Sequence, residues 1–254
     1  MEFKRAIVKT PCRNLIHGLT TSNFGLPDYD KALQQHSDYI KAFESIGVEV
    51  VILNPDENLP DSVFVEDTAL LTEKCGIITN PGAVSRRGEI YAVAEELKKH
   101  FDVVKYIEEP GTVDAGDIMK AGSHFYIGIS ARTNSWGADQ IIEILTQHGY
   151  SASKVEIRET LHLKSGVAYL DDNNLVVTGE MVNKPEFSNF NKIIIPDKEK
   201  YAANCLFINN RVLIAKGYGE TRNIIRSYGY ETIELDMSEY KKLDGGLSCL
   251  SLRF

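Results

Sequence analysis

The chain has no CxxC pair, and its four cysteines (Cys12, Cys75, Cys205, Cys249) have no histidine-rich run beside them. That excludes a disulfide scaffold and a zinc ribbon. No stretch of about 18 apolar residues is present to cross a membrane, and no apolar leader core follows Met1. The opening Met1–Thr10 runs from mixed charge straight into a strand-like segment, so a cytoplasmic protein with free thiols is expected. Positive charge is scarce: 28 Lys and Arg stand against 36 Asp and Glu, a net charge of −8. Such a balance argues against nucleic acid or an anionic membrane as partner and leaves room for a cationic small molecule. Walker, GxGxxG, HExxH and EF-hand patterns are all missing. The glycine loop Lys216–Gly219 lacks the spacing and the following Lys-Ser/Thr of a phosphate loop. Neither a nucleotide, nor another cofactor, nor an obligatory metal is expected.

What is present is a globular composition, 43% apolar and 25% charged over 254 residues, enough for a sizeable core. No Pro/Ser linker or low-complexity tract divides it, so a single domain over residues 1–254 is expected. The chain also repeats itself. Glu66-Asp67 leads into a β-run at Thr68–Thr72, a turn at Glu73-Lys74, a second run at Cys75–Thr79 and helical spacing over Arg86–Lys99. Asp114–Asp117 opens a second copy, with runs at Ile118–Lys120 and His124–Ile129 and a helix over Gly137–His148. A third copy covers Ser165–Leu170 and Leu175–Thr178. A fourth covers Ala203–Ile208 and Arg211–Ala215, with a helix at Thr221–Tyr228. The fifth needs Gly245–Leu252 from one end of the chain, Arg5–Lys9 from the other, and a helix over Asp30–Ile46. Five such α/β units suggest a closed, pseudosymmetric ring, in which pairing of the N- and C-terminal strands removes exposed sheet edges. An ordinary α/β sandwich is the alternative.

Cys249 follows Gly245-Gly246 and lies between Ser248 and Ser251, where small residues let a ligand approach. Cys12, Cys75 and Cys205 sit in or beside apolar runs and read as core. His162, between Leu161 and Leu163 just before the third copy, is a candidate acid or base, or else a satisfied core histidine. His36, His100 and His148 read as surface residues. Carboxylates gather where the hairpins begin: Asp61, Glu66, Asp67, Asp114 and Asp117. Aimed at a ring axis, they would hold a planar cation; otherwise they cap turns, the reading preferred for Asp117. Arg86, Arg87 and Arg132 follow the hairpins in two copies and could fork onto a ligand carboxylate, or simply lie on the surface.

Seven stretches together resemble the dimethylarginine dimethylaminohydrolases of the guanidine-modifying pentein superfamily. They are Pro60–Asp67, Ile77–Gly88, Gly111–Asp117, Ser130–Asn134, Leu161–Ser165, Ala202–Cys205 and Leu243–Leu252, in family order over nearly the whole chain. The resemblance implies a five-bladed α/β propeller with its site on the pseudo-axis. By it, Cys249 is the nucleophile, His162 the general acid and base, and Asp114 the acidic partner, where some relatives carry Glu. Glu66 and Asp67 would contact a guanidinium. Asp61, Arg86 and Arg132 would hold the amino-acid end, with backbone groups of Leu19 and Leu243 closing the site. The implied reaction takes N-methylated arginine to citrulline and a methylamine through a covalent thiouronium. The implied protein is a monomer or homodimer whose partner is a small guanidine. An arginine deiminase is the nearest rival, but this chain has Phe64-Val65-Glu66-Asp67 and Lys164 after His162-Leu163 where deiminases usually carry Arg-Asp and an acid. A non-catalytic arginine-binding protein would not need Cys249, His162 and Asp114 together. A cysteine protease fits less well, because its nucleophile usually starts a helix and Cys249 reads as part of a terminal strand. The Asn14–Asp28 loop is a candidate lid or a static surface loop.

Overall fold

The computed structural model describes residues 2–254. Strand β1 (Arg5–Lys9) buries Ala6, Ile7 and Val8. Asp28 caps α1 (Tyr29–Ser45), its carboxylate accepting from the Lys31 amide at 2.9 Å, and Ala32, Tyr39 and Phe43 turn inward. Gly47, at φ +82°, supplies the left-handed residue that ends the helix and releases the chain into β2 (Glu49–Leu53). Strands β3 (Ala69–Leu71) and β4 (Gly76–Ile78) form a hairpin whose turn is held by Thr72. Its hydroxyl accepts from the amides of Lys74 and Cys75 at 3.1 and 3.0 Å. A 3-10 turn at Val84–Glu89 precedes α2 (Ile90–Leu97) and β5 (Val104–Tyr106). Helix therefore replaces only the second half of the Arg86–Lys99 expectation, since the tighter turn carries Arg86 inward to its carboxylate partners.

The next unit is β6 (Ile118–Ala121), β7 (His124–Ile129), α3 (Ser135–Gln147) and β8 (Ser151–Glu156). Asn134 caps α3 by accepting from Gly137 at 2.8 Å. The third unit, β9 (Val167–Tyr169), β10 (Asn174–Val177) and β11 (Asn191–Ile194), crosses over through 3-10 turns at Gly179–Asn183 and Pro185–Phe187. Pro185 interrupts any longer helix there. The fourth unit contains β12 (Leu206–Ile208), β13 (Arg211–Ala215), α4 (Gly219–Ser227) and β14 (Glu231–Leu235). A short α5 (Ser238–Lys241) then leads to a 3-10 turn at Ser248–Leu250 and to β15 (Leu252–Arg253).

These strands make five three-stranded sheets: β15-β1-β2, β3-β4-β5, β6-β7-β8, β9-β10-β11 and β12-β13-β14. Each is an antiparallel pair followed by a parallel third strand, as a crossover requires. Ala6 pairs with Arg253 and Ile7 with Leu252, joining the first and last strands. Apolar side chains fill the spaces between neighbouring sheets. Ile7, Leu252, Ala69, Ile78, Val93 and Leu97 form one such cluster, and Met119, Val155, Leu163, Val167, Leu175 and Phe187 another.

Each antiparallel pair is entered through a 3-10 turn or a cap residue of one. Turns Ser248–Leu250, Val65–Thr68, Ala115–Asp117, Leu163–Ser165 and Asp197–Ala203 pack against one another in that sequence. Asn204, after the last of them, returns to Ser248 at 2.9 and 3.0 Å. The site is assembled from these turns.

Asn209, at φ +47° in the β12–β13 turn, ties this hairpin to the chain start. It accepts from the Phe3 amide at 2.8 Å and donates to the carbonyls of Phe3 and Ile46 at 2.8 and 3.1 Å. Asn209→Ala loses these bonds, and with them the side-chain amide that makes the left-handed conformation tolerable for a residue with a β-carbon, at a cost of about 2 kcal/mol. Asn209→Gly, which keeps the turn, costs less. Urea midpoints at unchanged m-value provide the measurement.

Candidate active site

Burying carboxylates is costly unless each finds a cation or several donors, and the turns place several together. Glu66 accepts from Ser248 Oγ at 2.7 Å and meets Lys164 Nζ and Arg253 Nη2 at 2.7 and 2.6 Å. Burial opposes its charge, but those two cations outweigh it and hold the carboxyl below its usual range. Asp67 accepts from the Gly116 amide at 3.0 Å and pairs with Arg86 Nη1 at 2.6 Å. Arg86 also forks onto Glu89 at 2.8–3.1 Å and donates to the Phe64 carbonyl at 3.0 Å. Asp117, completely buried, accepts from Ser130 Oγ at 2.7 Å and from the Leu163 amide at 2.9 Å. It ties two units together across 46 residues, instead of capping only its own turn.

His162 lies at the start of the Leu163–Ser165 turn, with Nε2 3.1 Å from Asp114 Oδ2 and Nδ1 4.0 Å from Asp67 Oδ1. The Gly82 amide anchors the other Asp114 oxygen at 2.8 Å. Burial disfavours the charged imidazole, but Asp67, the Asp114 hydrogen bond and Asp117 prevail and raise its pKa to about 9. Burial likewise opposes the Asp114 charge, and His162 overcomes it, so that this carboxyl titrates low.

Cys249 sits in the Ser248–Leu250 turn just before β15, not in the strand itself, and its Sγ accepts from the Gly246 amide at 3.5 Å. Burial first, then the charges of Glu66 and Asp67, push its pKa up to about 12. The resting pair is therefore a neutral thiol and an imidazolium. Glu66, His162 and Cys249 line one cavity of about 50 Å³, together with Lys164, Tyr201 and Asn204. Gly245 is required here, because any β-carbon would overlap the Phe64 ring.

The residues read as holding an amino-acid end lie to one side. Asp61 accepts from the exposed Leu19 amide at 2.9 Å, and burial, partly offset by Arg86, raises its pKa. Arg132 Nη1 is 3.9 Å from Asp114 Oδ2 and is buried without a hydrogen-bond partner among the described residues. Arg86, by contrast, lies buried with its guanidinium engaged by protein groups, as the bonds above describe. Leu243 is buried beside Gly18. Next to it Asp244, at φ +58°, accepts from the Thr21 amide and hydroxyl at 2.6 and 2.9 Å, and from Thr20 and Ser22, fastening the Asn14–Asp28 loop to the cysteine loop.

Sequence reading missed Asn204, Ser248, Lys164 and Arg253. Asn204 grips Ser248 through both backbone and hydroxyl, and a β-carbon on Gly246 would come within 2.5 Å of its Oδ1. The available signal was position alone, since all four sit at or beside the turns. Of the histidines read as surface, His36 is buried on α1, and burial pulls its pKa down to about 4. Among the described residues, Asp67, Asp114 and His162 present donor atoms within 4.8 Å of one another, close enough for a metal ion. All three already have protein partners.

Residues 28–250 match the family model described as N,N dimethylarginine dimethylhydrolase, eukaryotic. The chain is 55% identical to the N(G),N(G)-dimethylarginine dimethylaminohydrolase of Pseudomonas aeruginosa, over 99% of this chain and 100% of that protein. It is 34% identical to the enzyme of that name from Streptomyces coelicolor, over 100% and 98%. The solved structure of the Pseudomonas aeruginosa protein, a cysteine-to-serine variant complexed with citrulline, superposes at a TM-score of 0.99, with 55% identity and complete coverage of both chains. The N-terminal domain of ArgZ, a cyanobacterial arginine dihydrolase, shares the fold at a TM-score of 0.89 and 15% identity, covering 100% of this chain and 97% of that one. Fold and site thus define a relative of guanidine-modifying hydrolases. The chain belongs to the dimethylarginine dimethylaminohydrolase family.

Since the folded pKa of His162 exceeds the unfolded value, its stabilising contribution is complete below pH about 6.5 and is lost as pH rises through about 9. In an NMR titration the imidazole resonances of His162 are expected to show a midpoint near 9. Asp114→Asn moves that midpoint down and flattens the fall in urea stability over the same window. A midpoint at the ordinary histidine value contradicts the electrostatic assignment.

Proposed function

We propose that the protein hydrolyses N-methylated L-arginine to L-citrulline and a methylamine, with Cys249 as nucleophile and His162 as proton carrier. One observation carries the reading. Cys249 and His162 share a single small cavity with Glu66, while Asp114 hydrogen-bonds the imidazole and Asp67 lies 4.0 Å from its other nitrogen. Such a site is idle until a cation enters. Burial, then the Glu66 and Asp67 charges, keeps Cys249 protonated; a guanidinium would offset those charges, so substrate binding lowers the thiol pKa and its proton passes to solvent.

The thiolate attacks the guanidinium carbon and the carbon–sulfur bond forms. As the bond from carbon to the methylated nitrogen breaks, its electron pair stays on nitrogen and His162 delivers the proton that makes neutral dimethylamine. A cationic thiouronium remains on Cys249. The now neutral His162 takes a proton from water, whose oxygen adds to the same carbon. Carbon–sulfur cleavage then returns the electron pair to sulfur, and the proton of the added hydroxyl restores the thiol as citrulline departs. Asp114 orients the ring throughout.

In this reading Arg132, whose Nη1 lacks a partner, receives the substrate carboxylate, while Asp61 and the backbone of Leu19 and Leu243 hold the amino group. Arg86 acts mainly through Asp67. Asp244 lines the cavity of about 50 Å³ and also fastens the Asn14–Asp28 loop, so that loop is the segment that opens for entry. The five sheets are blades of one closed propeller, and residues 1–254 a single catalytic domain. The packed turns and the β1–β15 pairing support this. No helix among the described residues is long and apolar enough to cross a membrane, and a cytoplasmic setting suits the free thiols.

Cys249→Ser keeps the fold and lowers turnover by at least about 10³-fold. The test is citrulline release from dimethylarginine, monomethylarginine and plain arginine, with methylamines and ammonia assayed in parallel. Retained turnover in the variant overturns the nucleophile. Ammonia from arginine at higher kcat/KM than methylamines from methylated arginine overturns the substrate.

A further inference from the structure

Behind Glu66, away from Cys249 and His162, lies a second cavity of about 550 Å³. Glu66, Lys164, Asn204 and Ser248 line both this chamber and the reaction cavity, so the partition is one ion-pair cluster thick. The volume falls within the roughly 300–1,000 Å³ typical of small-molecule sites. Its walls are mixed, with apolar side chains the larger part, Leu70, Met119, Val167, Leu206, Phe207 and Leu252 prominent among them.

The charge is unevenly placed. Four acids and four Lys or Arg line the chamber in all, and Glu73 and Lys120 neutralise each other at 2.6 Å. At the partition, however, Lys164 and Arg253 share the single Glu66 carboxylate at 2.7 and 2.6 Å. Two cations on one anion leave a local charge of about +1 in a partly dry setting, where it has a large effect. Arg253 Nη1 donates to the carbonyls of Ser248 and Ser251 at 2.9 and 2.7 Å, fixing the guanidinium in place. A largely apolar chamber with unbalanced positive charge at one end complements a molecule with an apolar body and one anionic head.

We propose that this chamber is a second ligand site, taking a small amphipathic monocarboxylate whose body lies along the apolar walls and whose carboxylate meets Lys164 and Arg253. Occupancy reaches the reaction centre through the partition. An arriving carboxylate competes with Glu66 for the same two cations and changes the field at Cys249 without touching the substrate. This last link rests on the reaction proposed above; binding itself does not.

Octanoate is the probe, titrated calorimetrically into the full chain, with octylamine and octanol as head-group controls. Octanoate binds one-to-one, octanol about tenfold more weakly, octylamine not at all, and saturating citrulline leaves octanoate binding in place. Leu70→Trp and Ala168→Leu, which fill the chamber from two strands, each weaken octanoate about tenfold while citrulline formation stays at the wild-type rate. Absence of saturable octanoate binding, equal binding of octylamine, or displacement by citrulline overturns the site. So does undiminished octanoate binding in a filled variant that melts cooperatively. Should both variants fail to fold, the head-group series and the citrulline challenge on the unaltered chain still decide. Failure of turnover with intact octanoate binding would count against the proposed reaction and not against this chamber.

Discussion

Four carboxylates, Glu66, Asp67, Asp114 and Asp117, are buried where the five entry turns meet, and the surrounding structure is organised around neutralising them. Arg86, Lys164, Arg253 and His162 all lie where they do because an unpaired buried carboxylate would cost several kcal/mol. The same crowding sets the resting chemistry. Negative charge holds the His162 proton on, and burial, reinforced by Glu66 and Asp67, keeps the Cys249 thiol neutral, so the two groups are kept apart in protonation state. The arrangement selects for a cation because only a cation relieves it.

The turns explain how one residue from each of several distant segments reaches the same place. In each unit an apolar hairpin packs against its neighbours, and the tight 3-10 turn at its start projects polar side chains toward the other turns. Gly82, Gly116, Gly245 and Gly246 sit where backbones and side chains come too close for a β-carbon. Asn204 and Ser248 brace the cysteine loop from the neighbouring unit.

Hairpins were legible because their turns carry Asn, Asp and Gly and their strands are apolar, as at Asp172-Asn173 and Asn209-Asn210, all with positive φ. The third strand of each sheet was not. Segments such as Glu49–Leu53, Val104–Tyr106 and Asn191–Ile194 are short and half exposed, each with a single charge, and show no clear alternation. Cys249, His162, Asp114, Glu66 and Asp67 could be singled out because their residue types match a known chemistry in order along the chain. Lys164 and Arg253 could not, for a surface cation and one that neutralises a buried acid look alike until the fold brings Glu66 between them. Arg86 shows the converse: its position suggested a ligand contact, whereas its guanidinium is engaged by Asp67 and Glu89.

Strand β15 closes onto β1, and the contacts that build the centre join residues very far apart, 48 positions for His162–Asp114, 182 for Ser248–Glu66 and 187 for Arg253–Glu66. Loop closure on that scale makes high contact order unavoidable and folding correspondingly slow. Cys249 is thus among the last groups to gain its surroundings. Before that closure its thiol lacks the burial, and the neighbouring carboxylates, that hold it protonated, and it behaves as an ordinary solvent-exposed cysteine. The chain is most open to oxidation while it folds and best protected against it once the fold is complete.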